Sequence, residues 1–253
     1  MKRQRRGVSG QIVLIVVVLV IAAAFYVEIP IVSKATTTST TTSSSVITTS
    51  STSGPASTGT LNFKIAQPLL AAPDVNYTAT LGFTAIGTVS GNYTLAASGL
   101  PAGVSATFSP STVSFPSQLG SSVTITLSAA TSAAPANATV DVTATAGSSV
   151  YTQSFPLTSV AALVLIQGNA FHPNSLAVST GTKVYWIDLD PDSIADFGPD
   201  MHDVTALNHS FSSGTGDLGQ YDIYSYTFTT AGTVQYESAQ QGSSMTAQII
   251  VSG

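Results

Sequence analysis

The chain has 253 residues, of which 43% are hydrophobic and only 8% charged, with no cysteine and a formal net charge of −5 at pH 7. The lack of cysteine excludes disulfides, thiolate metal sites and thiol nucleophiles. After Lys34 only Lys64 and Lys183 stand against eleven acids, a net of −9 that excludes nucleic-acid binding by counterion release.

Residues 1–6 form a basic stub with Lys2, Arg3, Arg5 and Arg6, and residues 7–27 carry no charge. As a helix at about 1.5 Å per residue, that run would reach roughly 31 Å, enough to span a bilayer. The basic stub predicts a cytoplasmic N-terminus and an extracellular remainder, hence a single-pass protein of the cell membrane. A retained anchor is the plain reading. Ala22 and Ala24 also form an A-x-A site, so a cleaved secretory signal is an alternative.

Residues 28–60 read as a stalk. Nineteen of the 26 residues from Ala35 to Thr60 are Ser or Thr. Such a tract buries too little apolar surface to offset the entropy of ordering, and its hydroxyls suit O-glycosylation. A bare flexible linker is the alternative; as a coil it spans roughly 28 Å. Four N-x-S/T sequons follow, at Asn76, Asn92, Asn137 and Asn208, candidates for N-glycosylation in an exported chain.

From residue 61 onward the chain reads as all-β. In residues 61–158, Val104, Ala106 and Phe108 alternate with polar residues, as do Val123, Ile125 and Leu127. Tyr151, Gln153, Phe155 and Leu157 repeat the pattern with one polar exception. Period two with Gly, Pro and Ser breaks about every ten residues predicts a β-sandwich. Residues 161–253 form a second predicted domain. Within it, six acids fall between residues 188 and 203. Asp188, Asp190 and Asp192 alternate like the start of a calcium loop, whose carboxylate oxygens suit Ca²⁺. The glycine and distal glutamate of an EF-hand are missing, and a solvated acidic loop is the plainer reading. His172 and His209 read as surface histidines.

Three resemblances add to this. Arg5-Arg6-Gly7-Val8-Ser9 before the apolar run resembles the class III signal of archaeal type IV pilins and archaellins. That implies cleavage beside the glycine and a helix that packs into a filament core. Leu100-Pro101-Ala102-Gly103-Val104-Ser105-Ala106-Thr107-Phe108-Ser109-Pro110 resembles the immunoglobulin-like sandwiches of prokaryotic surface proteins. Phe171-His172-Pro173, Gly181-Thr182-Lys183-Val184-Tyr185-Trp186, His202, Tyr226-Thr227-Phe228, Ala231-Gly232-Thr233, Met245 and the closing Gln248-Ile249-Ile250-Val251 together resemble a cupredoxin of the plastocyanin type. The last implies a Greek-key barrel of seven or eight strands. It also implies that His202 and Met245 stand at copper-ligand positions. Ser238 falls where the family has its cysteine, and Gln240 or Gln241 where it has its second histidine. A serine hydroxyl cannot replace the thiolate of type 1 copper.

No phosphate-cradling loop, G-x-S-x-G or H-E-x-x-H is present, so no catalytic residues are expected. The expected function is structural, adhesive or binding, at the membrane, with cell-envelope or S-layer components or like subunits as partners. No cofactor is expected, with Ca²⁺ or a non-blue copper as alternatives. Metal handling or electron transfer, as in membrane-anchored blue copper proteins such as sulfocyanin, and a pilin-like filament subunit remain the competing functions.

Overall fold

In a computed structural model, the described residues are 58–191, 201–214, 218–239 and 244–253. The apolar run, nearly all of the stalk, Asp192 and Gln241 lie outside them. Among the described residues no helix is long and apolar enough to cross a membrane. The secondary structure there is β throughout, in seventeen strands and four sheets.

Nine strands build the N-terminal half. One sheet has the order β1 (Thr60–Ile65), β3 (Tyr77–Ile86), β7 (Ser122–Ala129), β5 (Val104–Ser109). The other runs β2 (Leu69–Ala71), β9 (Ser149–Ser159), β8 (Ala136–Ala146), β4 (Gly91–Ser98), β6 (Thr112–Phe115). Alternation explains the faces. Tyr77, Ala79, Leu81 and Phe83 of β3 are buried, and across the ladder Val123, Ile125 and Leu127 of β7 are buried too. Tyr77 pairs with Leu127 and Leu81 with Val123, so period two on both strands fills one core. The polar exception on β9 has a partner: Gln153 Oε1 accepts the Phe63 backbone N–H of β1 at 2.8 Å. That contact joins an edge strand of one sheet to the other sheet. The Tyr151 hydroxyl donates to Gly59 O at 2.9 Å on the same side.

Eight strands form the C-terminal half, in two sheets of four. The first has the order β11 (Phe171–His172), β10 (Ala162–Ile166), β13 (Lys183–Asp188), β15 (Ile223–Thr227). The second runs β12 (Ser175–Ser179), β17 (Thr246–Ser252), β16 (Gly232–Glu237), β14 (Thr205–Ala206). Between them lies an aromatic core centred on Trp186, which meets Phe211, Tyr224, Phe228 and Tyr236 at ring-centroid distances of 5.6–6.4 Å. β10 pairs parallel with β13, and β12 parallel with β17.

β10 explains how the halves join. All five of its residues are buried. Ala162, Val164 and Ile166 belong to the aromatic core, while Leu163 and Leu165 belong to the core of the N-terminal half. A strand covered on both faces reads as an unbroken apolar run, as Ala162–Ile166 does. β13 divides in the same way: Val184 and Trp186 face the aromatic core, and Ile187 faces the other. Val160, between the halves, is 2% exposed, and its N–H donates to Ala71 O at 2.8 Å.

Candidate functional site

The alternation of β13 continues past Trp186. Asp188 therefore points the way Val184 and Trp186 do, into the end of the aromatic core, and it is fully buried. A buried carboxylate without a partner is costly. Its partner is His202, itself fully buried, whose Nδ1 lies 2.7 Å from Asp188 Oδ2. The other oxygen of Asp188 accepts the Asp190 N–H at 2.9 Å. Burial pushes the Asp188 carboxyl above the usual range, and the hydrogen bond from His202 works against that rise.

His202 is fixed through its backbone. Its N–H donates to Leu218 O and its carbonyl accepts the Leu218 N–H, both at 3.0 Å. The opposite edge of the ring, Nε2, meets Asn169 Oδ1 at 3.0 Å and Asp190 Oδ2 at 3.8 Å.

Asn169 and Asp190 are positioned by one tight turn. Gly168 and Asn169 connect β10 to β11, with φ of 62° and 55°. Two successive left-handed residues are what a two-residue hairpin turn of the primed type requires, and Gly-Asn supplies them. The turn presents adjacent N–H groups to one carboxylate: Gly168 N–H donates to Asp190 Oδ1 at 2.7 Å and Asn169 N–H to Asp190 Oδ2 at 2.9 Å. Asp188, Asp190 and His202 thus converge, each with a ligand-type atom within 4.8 Å of the others.

Of the residues expected from the cupredoxin resemblance, His202 belongs to this cluster, while Ser238 and Met245 sit elsewhere in the same half. Ser238, just after β16, is fully buried. Its Oγ donates to Asp203 Oδ1 and accepts the Asp203 N–H, both at 3.2 Å. The second oxygen of Asp203 accepts the Thr205 hydroxyl at 2.7 Å. Met245 is 2% exposed within the aromatic core and borders a surface depression shared with Phe171, His172 and Asn174. Its carbonyl accepts the Ser238 N–H at 3.1 Å.

Of the residues read as a calcium loop, Asp188 and Asp190 meet through His202, and Asp192 lies outside the described residues. Asn76, Asn92, Asn137 and Asn208 are all exposed, as are His172 and His209. Sequence reasoning missed Asn169 and Asp203. A signal for the first existed: Gly168-Asn169 between two apolar runs marks a hairpin turn. None existed for Asp203, whose partner is 35 residues away.

No family model and no curated protein matches the chain. Among solved structures, a reduced-state mutant of amicyanin is similar at 22% identity, over 36% of this chain and 81% of amicyanin, with a TM-score of 0.29. An oxidized amicyanin mutant gives 23% identity over the same shares with a TM-score of 0.27. Similarity at this level carries no statement about activity.

Proposed function

We propose that this is an exported, membrane-tethered surface protein whose immunoglobulin-like sandwich and cupredoxin-like half act as a structural, adhesive or binding module without type 1 copper. The observation that carries the reading is Ser238. Where the copper family needs a thiolate, this chain has a hydroxyl closed in both directions onto Asp203. His202, at the other inherited ligand position, has each ring nitrogen within 3.0 Å of an oxygen. Type 1 copper does not fit such a donor set, which lacks the soft sulfur that the centre depends on.

The surface is consistent with life outside the cell. The four sequon asparagines are exposed, and Asn208 Oδ1 accepts the Ser210 N–H of its own sequon at 3.1 Å. The uncharged run 7–27 supplies the tether and the Ser/Thr tract the spacer. The reading is non-enzymatic, with envelope components or like subunits as partners.

The test is Cu(II) titration of the full chain in detergent, followed by optical and EPR spectroscopy. The expected spectrum has no intense sulfur-to-copper charge-transfer band. Such a band would overturn the reading and return the protein to electron transfer.

A further inference from the structure

The cluster around His202 brings an imidazole nitrogen, a carboxylate oxygen and an amide oxygen together at one turn. Asp188 is an acceptor, so the Nδ1 proton of His202 is donated to it across 2.7 Å. With Nδ1 protonated, a neutral imidazole turns the Nε2 lone pair outward. That lone pair faces Asn169 Oδ1 at 3.0 Å and Asp190 Oδ2 at 3.8 Å, both oxygen acceptors. An imidazole nitrogen, a carboxylate oxygen and an amide oxygen gathered in this way are donor types that hold a divalent cation.

The parts match a metal site closely. A histidine that ligates through one nitrogen usually donates its other N–H to a carboxylate, which fixes the tautomer and raises the basicity of the ligand. Asp188 is placed to do that, and its full burial removes competing water. Asp190 is held by two backbone N–H groups and keeps further lone pairs on each oxygen. Neighbouring ligands on a tetrahedral or octahedral ion, with metal–ligand bonds of about 2.0–2.2 Å, stand roughly 2.9–3.4 Å apart. The His202–Asn169 separation of 3.0 Å falls within that range and the His202–Asp190 separation of 3.8 Å lies just beyond it, so closure asks only a small movement of Asp190. Asn169 is exposed and Asp190 half-buried, which leaves the Nε2 side open to ions and to water ligands.

We propose that His202 Nε2, Asp190 Oδ2 and Asn169 Oδ1 bind a divalent first-row cation of the Zn²⁺ type, with Asp188 as the positioning residue that orients the imidazole. One nitrogen and two oxygens with no sulfur suit such borderline ions. The imidazole disfavours Ca²⁺, whose ligands are oxygens. The site is distinct from the inherited copper positions at Ser238 and Met245, and shares only His202 with them.

Asn169→Gly is the cleanest probe. Glycine accepts the left-handed backbone at that position, so the turn persists while the amide oxygen is lost. Asp190→Asn and Asp188→Asn follow. The full chain in detergent, stripped with chelator, is titrated with Zn²⁺ by calorimetry and with Co²⁺ by visible absorption; near-UV circular dichroism of the Trp186 cluster reports folding. We expect one Zn²⁺ per chain. Asn169→Gly should weaken it about 10-fold and Asp188→Asn about 10- to 100-fold. The Co²⁺ ligand-field bands of the wild type should shift in Asn169→Gly and Asp190→Asn. A folded wild type that binds no Zn²⁺ overturns the proposal, as does Zn²⁺ binding equal in wild type and folded Asn169→Gly and Asp190→Asn. Calcium binding in place of zinc also overturns it.

Discussion

Replacing His202 by leucine tests whether the Asp188–His202 pair holds the end of the aromatic core. Both side chains are essentially inaccessible, at 0% and 1% exposure, and they meet at 2.7 Å. Leucine retains much of the volume and removes both ring nitrogens, so the main loss is the partner of a buried carboxylate. Removing one member of a buried ion pair costs about 3–5 kcal/mol. Asp188 keeps one compensating bond, from the Asp190 N–H at 2.9 Å, which favours the lower end, about 3 kcal/mol. The companion Asp188→Asn, His202→Leu double variant no longer buries a charge and should recover about half of that loss. The assay is urea unfolding followed by Trp186 fluorescence, in excess chelator so that bound metal contributes nothing. A single-variant loss below about 1 kcal/mol, or a double variant no better than the single, would refute the account of a buried charge held by its partner.

The remaining predictions concern the cores, one turn and the buried phenols. Leu163→Ala should cost about 2–5 kcal/mol. Because Leu163 belongs to the core of the N-terminal half while its neighbours serve the other, far-UV circular dichroism and Trp186 fluorescence should still shift together; separate transitions would refute a shared strand. Gly99→Ala should destabilise by roughly 1–3 kcal/mol or more, since φ there is 75° and a Cβ would lie 2.5 Å from Thr139 O. A midpoint unchanged in denaturant would contradict that strain. Burial pushes the phenols of Tyr77 and Tyr236 up, reinforced at Tyr77 by Tyr221. Folded chains then keep these protons while unfolded chains release them above about pH 10, so stability is intact below that pH and falls by about 1.4 kcal/mol per pH unit per phenol above it. Thermal midpoints flat between about pH 9 and 11 would refute it.

Much of the β framework was legible because alternation is a local property. Val123, Ile125 and Leu127 announce their buried face in five residues, and the same reading of Val184 and Trp186, carried one step further, would have turned Asp188 inward. Treating Asp188, Asp190 and Asp192 as one loop hid that step, because equal spacing in sequence was read as equal surroundings. Asp188 ends a strand, whereas Asp190 lies beyond it on the N–H groups of a distant turn. Gln153 was legible only as an exception, since the N–H it satisfies belongs to Phe63, 90 residues earlier. The resemblance singled out Ser238, but its closure onto Asp203 depends on a register that only folding supplies.

The double-sided burial of β10 also bears on how such a chain can evolve. Chains built of several β modules often change by gaining or losing whole modules at exposed joints. Here a break near Val160 would strip Leu163, Leu165 and Ile187 of their cover and leave a sticky stripe on one fragment. Neither half is therefore a free cassette. Recombination at this junction is constrained to exchanges that bring a matching apolar face with them, and the two halves should be inherited together.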